Sequence, residues 1–271
     1  MSEELVSVIM PTYNAGKFLA DSIDSILRQT HKNLELLITD DASTDAETIR
    51  ILKSYACKDP RVNVLFQKEN RGPGYARNQS IARAQGRYIA FCDSDDRWEA
   101  DKLEEQIKYM DKHHCALCCA SYIVCDENSN NIGINIPPSV ITYNMLKRDN
   151  KVGCLTAIYD TKMLGKKFFM PAIRKSEDWG LFLTIMKECK VCYVYTQKPL
   201  AYYRKRKGSV SSQKSSLIRY NVIIYQEILG YNKFKSYLYF ALLFVPTYFA
   251  KVIKRKADSI KYMQSASHDF R

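Results

Sequence analysis

The sequence predicts an α/β protein built on a mostly parallel sheet flanked by helices, with a helical extension at its carboxyl end. Through the first 113 residues, short apolar runs alternate with amphipathic helical stretches, the rhythm of βαβ units. One run, Tyr88-Ile89-Ala90-Phe91-Cys92, delivers Asp93, Asp95 and Asp96 at its carboxyl end, the edge where open α/β sheets bind ligands. With 271 residues, 46% of them hydrophobic and 26% charged, the chain can bury the core such a sheet needs and carry an appendage as well.

Residues 5–10 form the first expected strand and residues 15–29 a helix, because Phe18, Leu19, Ile23, Ile26 and Leu27 recur on one face. Residues 34–39 make the second strand, and Thr44-Asp45-Ala46-Glu47 is a capping-box pattern that opens the next helix. Strand 62–66, helix 75–85 and strand 88–92 continue the alternation, followed by a helical pattern over 101–113. Beyond residue 114 the order loosens into a strand at 116–125, a polar loop at 126–131 and mixed elements to about residue 204. Among these are a helix over 179–189, opened by Glu177-Asp178, and a strand at 191–195. No internal repeat is present. Gly72-Pro73-Gly74 resembles a fragment of a dinucleotide-binding fingerprint, but the third glycine is missing and Pro73 fills the middle, so the fragment does not argue for one.

The net charge of +12 is unevenly spread: residues 1–200 hold 27 Lys and Arg against 26 Asp and Glu, whereas residues 201–271 hold 14 against 3. A nearly neutral body argues against a nucleic-acid footprint, and a basic tail points to an anionic surface. Nine cysteines permit disulfides or zinc, and the Cys115/Cys118 and Cys189/Cys192 spacings fit either. Cys118, Cys119, Cys125 and Cys192 fall in apolar strand-like runs, however, where a thiol serves as a small hydrophobe. The odd count and the absence of a signal peptide point to a reducing cytoplasm.

Three acidic sites carry the chemistry. Asp93, Asp95 and Asp96 repel one another unless something positive sits among them, and a hard divalent cation that brings a phosphate is the usual neutraliser. That pattern points to a metal-bound nucleotide; the structural alternative is an acidic turn capping the helix at 101–113. Asp40 and Asp41 end the second strand, where one carboxylate can accept a hydrogen bond from N3–H of uracil or thymine, which cytosine lacks. The alternative for this pair is an N-terminal cap for the helix near Thr44. Glu177 and Asp178 stand in a first helical turn, where acids also serve as dipole partners.

Five segments together resemble a known family. Val6-Ser7-Val8-Ile9-Met10-Pro11-Thr12-Tyr13-Asn14, Asp40-Asp41-Ala42-Ser43-Thr44-Asp45, Asn70-Arg71-Gly72 with Ala76-Arg77-Asn78, Asp93-Ser94-Asp95-Asp96 and Glu177-Asp178-Trp179 follow the order and spacing of family 2 glycosyltransferases, over about residues 4–212. The resemblance implies a GT-A fold with a Rossmann-like sheet, residues 1–97 forming a nucleotide-sugar half and 98–212 an acceptor half of one domain, with 213–271 as a basic, aromatic tail. It implies that Thr12, Tyr13 and Asp41 hold the base and ribose and that Arg77 supports the nucleotide or orders the acidic loop. Asp93 and Asp95 match the Asp-x-Asp motif that takes Mn²⁺ or Mg²⁺ with the diphosphate, Asp95 as direct ligand and Asp96 behind it. Asp178 matches the catalytic base of inverting members. The stretch from Tyr203 to Ser211 departs from the pattern: many relatives carry a histidine near Arg206, and arginine cannot ligate a cation. Arg204, Arg206 or Lys207 can instead bind the diphosphate, which would weaken metal dependence.

In the tail, residues 236–250 contain no charge, are rich in Tyr, Phe and Leu, and are interrupted by Pro246 before Lys251 and Lys254-Arg255-Lys256. The run is short of the roughly 20 residues of a spanning helix, so an in-plane anchor on anionic lipid is expected. Packing on the catalytic domain or on a second subunit is the structural alternative. The expectation is thus a glycosyltransferase peripheral on the inner face of the cell membrane that moves a sugar from a UDP-sugar to a lipid-linked saccharide in surface polysaccharide synthesis. Rival readings are a nucleotidyltransferase and a non-catalytic basic module.

Overall fold

The computed structural model describes residues 4–206 and 217–268. The first half runs β1 (Val6–Thr12), α1 (Gly16–Leu27), β2 (Leu34–Asp40), α2 (Ala46–Lys58), β3 (Val62–Phe66), α3 (Pro73–Arg83) and β4 (Tyr88–Phe91). Next come β5 (Arg97–Trp98), α4 (Lys102–His113), β6 (Leu117–Ala120), β7 (Tyr122–Cys125), β8 (Asn131–Asn135), β9 (Val140–Thr142) and α5 (Tyr143–Arg148). The second half closes with β10 (Ile158–Asp160), α6 (Thr161–Leu164), α7 (Glu177–Cys189), β11 (Val191–Tyr195) and β12 (Ala201–Arg204), before the helices α8 (Leu217–Ile223), α9 (Lys233–Tyr239) and α10 (Val245–His268).

Eight strands form the main sheet in the order β3-β2-β1-β4-β10-β6-β11-β9, and β5-β12-β7-β8 form a smaller one. The β3-β2-β1-β4 block is wholly parallel, as expected for βαβ units, and β10 enters antiparallel between β4 and β6. Both faces of this block are covered. Val6, Val8 and Met10 of β1 pack on one side with Leu19 and Ile23 of α1, while Ile9 packs on the other with Phe91 and Ile81, the period-2 pattern of a strand buried on both faces. Strand order reverses at the β1/β4 junction, so the crevice beyond their carboxyl ends is the switch-point site of an open α/β sheet.

Local chemistry adjusts three expected boundaries. Helix α2 is capped by Asp45 rather than Thr44: the Asp45 carboxylate accepts from the Thr48 and Glu47 amides at 3.0 and 3.3 Å. Helix α3 starts two residues early because Pro73 suits the first helical turn. The single strand expected at 116–125 is two strands in two sheets, parting at Ser121, whose N–H donates to Tyr195 O in one direction while its C=O receives Leu200 N–H in the other.

Pro246 does not break the tail. A π-helical turn, Phe240–Phe244, precedes α10, and the helix runs on through Pro246; such a bulge already interrupts the i→i−4 ladder that a proline would break. Lys233–Ser265 is therefore one helix long and apolar enough to cross a membrane by length and composition, although only 11% of its most apolar stretch is buried. The tail shares the body's core, since Trp179 of α7 stacks edge-on against Tyr225 and lies beside Phe244. The 212/213 boundary and Lys207 lie outside the described residues.

Candidate functional site

The parallel register sets Thr12 beside Asp40 and brings Asp93, just past β4, to the same edge. Loops around this edge hold three non-glycine residues in left-handed backbone, Asn14 (φ 47°), Ala42 (φ 61°) and Ser176 (φ 61°), a strained conformation that tends to gather at ligand sites. Asn14 stitches two of these loops together. Its Oδ1 receives the Thr44 and Asp45 amides at 2.9 and 3.0 Å, and its own N–H donates to Ser43 Oγ at 2.9 Å.

The two adjacent acids that end β2 do different work. Asp40 closes its own turn, accepting from Ser43 N and Oγ at 3.0 and 2.5 Å. Asp41 reaches out of the strand to the loop before α3 and accepts from Arg71 N and Gly72 N at 2.9 and 2.7 Å. Two acceptor positions on that carboxylate remain available. Thr12 Oγ1 is buried with no hydrogen-bond partner among the described residues, and the Tyr13 ring beside it is half exposed. Gly72 has φ 92°, open to glycine alone. Gly74 lets α3 approach α7, because a Cβ there would come within 3.0 Å of Glu177 Cγ. These contacts, not a dinucleotide, account for the Gly72-Pro73-Gly74 sequence.

Arg77 joins the halves. With its side chain 8% exposed, it donates through Nη2 to Asp93 Oδ1 at 2.6 Å and through Nη1 to Glu177 Oε1 at 3.3 Å. Burial pushes the guanidinium down, but Asp93 and Glu177 more than offset it, so the group stays charged above its ordinary range. Asn78, next in sequence, clamps the other side of the cleft: Nδ2 donates to Met170 O at 2.9 Å and Oδ1 accepts from Met170 N at 2.7 Å.

Beyond β4 the acids are countered by arginines. Asp96 is buried and accepts from Arg204 N at 2.8 Å; burial and its two acidic neighbours push its carboxyl well up. Asp95 is raised by burial and then by Asp93, with the charge of Arg206 opposing, whose Nε lies 2.6 Å from Asp95 Oδ2. Of the three basic residues expected to meet a diphosphate, Arg204 has contacts within the protein, although its Nη2 is buried without a hydrogen bond among the described residues. Its guanidinium is committed to Asp95 O (3.0 Å), Ser129 Oγ (2.9 Å) and the Phe18 face (4.5 Å).

Asp178 lies half-buried at the start of α7. Burial raises its carboxyl, whereas Arg77, the Trp179 amide and a hydrogen bond from Asn150 Nδ2 (3.1 Å) hold it down. The charge of Asp93 also acts on it, and Arg77 ties Asp93 to the neighbouring Glu177. Glu177 is likewise raised by burial and restrained by Arg77. Asn14 and Asn78 lie within the quoted motifs but their bonding roles escape sequence reasoning, and Asn150 escapes it altogether.

Among the described residues no three His, Cys, Asp or Glu side chains converge on a ready cation site. Asp93 and Asp95 nevertheless suit a hard cation: it takes one or two carboxylates and draws its remaining oxygens from phosphate, and both acids here already need positive charge beside them.

The model of the family described as "Glycosyl transferase family 2" matches residues 7–169. TuaG of Bacillus subtilis (strain 168), named as a teichuronic acid biosynthesis glycosyltransferase, is 38% identical over 225 residues, covering 83% of this chain and 88% of TuaG. The Escherichia coli protein WfgD, named UDP-Glc:alpha-D-GlcNAc-diphosphoundecaprenol beta-1,3-glucosyltransferase, is 38% identical over 214 residues, covering 79% and 82%. In structure the chain is similar to TarS 1–349 of S. aureus, solved with UDP-GlcNAc, with a TM-score of 0.67 at 24% identity over 90% of this chain and 72% of that one.

Replacing Arg77 tests the bridge. Arg77→Met leaves the nearly buried Glu177 unpaired and should lower stability by on the order of 3 kcal/mol in urea unfolding at about pH 7. Glu177 is an acid raised above its ordinary 4.5 in the folded state, and without Arg77 it rises further. Folding of the variant then favours the protonated form, so its deficit should narrow on going to about pH 5. Equal stability of variant and wild type at about pH 7 would show that Arg77 carries no such load.

Proposed function

The chain belongs to glycosyltransferase family 2, and from that premise we propose that it moves a hexosyl or N-acetylhexosaminyl residue from a UDP-sugar to a hydroxyl of a lipid-linked saccharide, with inversion, during surface polysaccharide synthesis. The observation that carries this reading is the Asp93–Arg77–Glu177 bridge, which ties the acidic loop after β4 to the start of α7, where Asp178 stands. Support for donor and acceptor comes from WfgD, whose name specifies UDP-Glc and a diphosphoundecaprenol-linked sugar.

In this reading Thr12 and Tyr13 hold the base and ribose, and the free acceptor positions of Asp41 meet uracil N3–H. Arg77 orders Asp93 behind the diphosphate. Asp93 and Asp95 would hold Mn²⁺ or Mg²⁺, which supplies positive charge for the departing diphosphate. Asp178 accepts the proton of the acceptor hydroxyl as that oxygen bonds to the anomeric carbon and the carbon–oxygen bond to the diphosphate breaks, its electron pair leaving with UDP. Burial raises the Asp178 carboxyl, and Arg77, the Trp179 amide and Asn150 oppose that rise. One displacement inverts the anomeric centre without a covalent enzyme intermediate.

The tail helix fits a membrane surface. Phe234, Leu238, Leu242, Phe249, Ile253 and Ile260 are exposed, Phe234 at 79% and Ile253 at 68%, and recur at intervals that keep one helix face apolar. The opposite side is tied to the body, with Lys254 Nζ donating to Ile136 O at 2.9 Å and Ser259 Oγ bonded to both Ile134 N and O at 3.0 and 3.2 Å. A helix held this way along its length lies in the plane of the surface rather than through it, and its lysines and arginines suit anionic headgroups. The nine free cysteines agree with a site on the cytoplasmic face.

Two substitutions separate binding from chemistry. Asp95→Ala should remove the gain in UDP affinity that Mn²⁺ gives over EDTA in calorimetry. Asp178→Asn should bind UDP as wild type does while transfer falls by about 10²-fold or more. Wild-type transfer by Asp178→Asn would put the base elsewhere, with Glu177 next in line, and equal UDP affinity of wild type in EDTA and Mn²⁺ would remove the cation from the site.

For the membrane, wild type should float with vesicles containing anionic lipid at low salt, and less at high salt, because the Debye length shrinks to about 3 Å at 1 M. Phe249→Glu with Ile253→Glu should abolish flotation. Absence of wild-type flotation at low salt would leave the apolar face to a second copy of the chain.

A further inference from the structure

The inner side of α10 touches the catalytic cleft through a short chain of hydrogen bonds. Lys251 Nζ donates to Asp149 Oδ1 at 2.7 Å and to Asn150 O at 3.1 Å. Asn150 in turn donates through Nδ2 to Asp178 Oδ2 at 3.1 Å, and its Oδ1 accepts from Val152 N at 3.2 Å, which fixes which way its amide points. Residues 149 and 150 follow α5 and lie outside any helix or strand, so their place is set by side-chain contacts. Asp149 is buried, with its side chain 3% exposed, and has Lys251 and, at 3.6 Å, Lys151 as its cations. A buried carboxylate holds tightly to such a partner, because losing it leaves a desolvated charge.

We propose that Lys251 is a positioning residue for the base: from the C-terminal helix it anchors the 149–150 turn, so that Asn150 occupies one oxygen of Asp178 and leaves the other aimed at the acceptor hydroxyl. The chain therefore reacts fully only with α10 docked on the body. The inference rests on the reading of Asp178 as the base. It does not extend to the membrane-facing side of the same helix, which carries different residues.

Kinetics of the full chain with a short soluble acceptor, which avoids any effect of membrane binding, test it. Lys251→Met should lower kcat by about 10-fold while donor KM and UDP affinity stay within about 2-fold, and Lys251→Arg should restore most of the rate. Asn150→Ala should fall equally, and the Lys251→Met/Asn150→Ala double variant no further than either alone, as for two links of one chain. Should Lys251→Met unfold because Asp149 is stranded, Lys251→Met with Asp149→Asn removes both charges together and should show the same kcat loss. Wild-type kcat in that double variant or in Lys251→Met, or losses at Lys251 and Asn150 that multiply, would overturn the proposal. Asp178→Asn run alongside tells the two failures apart: an active Asp178→Asn removes the base reading itself, whereas an inactive one with active Lys251→Met removes only the anchoring role.

Discussion

The guanidinium of Arg77 sits nearly buried between Asp93, at the carboxyl edge of the sheet, and Glu177, at the start of α7. The two carboxylates are 84 positions apart in sequence and belong to different halves of the chain. Buried ion pairs return little net stability, but breaking one is costly, because it strands a charge away from water. The arrangement therefore fixes geometry more than it adds stability. With Arg77 in place, α3, the loop after β4 and α7 keep one spacing, and Asn78, the next residue, locks Met170 to the same helix. The left-handed backbone at Asn14 is held separately, by Ser43, Thr44 and Asp45.

Charge balance is the second constraint. Asp93, Asp95 and Asp96 are answered by Arg77, Arg206 and the backbone of Arg204 respectively. Asp96 faces inward and serves the fold, so two acids remain for a ligand. In the proposed function a cation at Asp95 would compete with Arg206, which faces Asp95 Oδ2, and an arginine displaced from there would be an always-charged donor for the diphosphate. Under the proposed function, metal dependence would be a contest between this guanidinium and a divalent ion.

Much of this was legible in the sequence because it depends on local pattern. Strand β4 reads from five apolar residues, its acids from their position after it, and Arg77 from a motif whose neighbours Ala76 and Asn78 pack and clamp. What escaped depends on partners far along the chain. The parting of β6 from β7 at Ser121 is set by Tyr195 and Leu200, which belong to later segments. The choice between Asp40 and Asp41 is decided by Arg71 and Gly72, thirty positions away. Asn150 sits in a loop with no motif, so nothing in the sequence marks it, and its role follows only once α10 and α7 are packed around it. Pro246 reads as a helix breaker by its local chemistry, but the helix runs on through it after a π-helical turn.

In the proposed function Asp178 faces the strand-end acids across the anomeric carbon, so that a single displacement transfers the sugar. Product stereochemistry tests this most directly. Proton NMR of the newly formed glycosidic linkage, made from a UDP-sugar of defined anomeric configuration, should show the opposite configuration in the product. A product that retains the donor's configuration would require a nucleophile or a front-face attack that this arrangement does not provide, and would contradict the account.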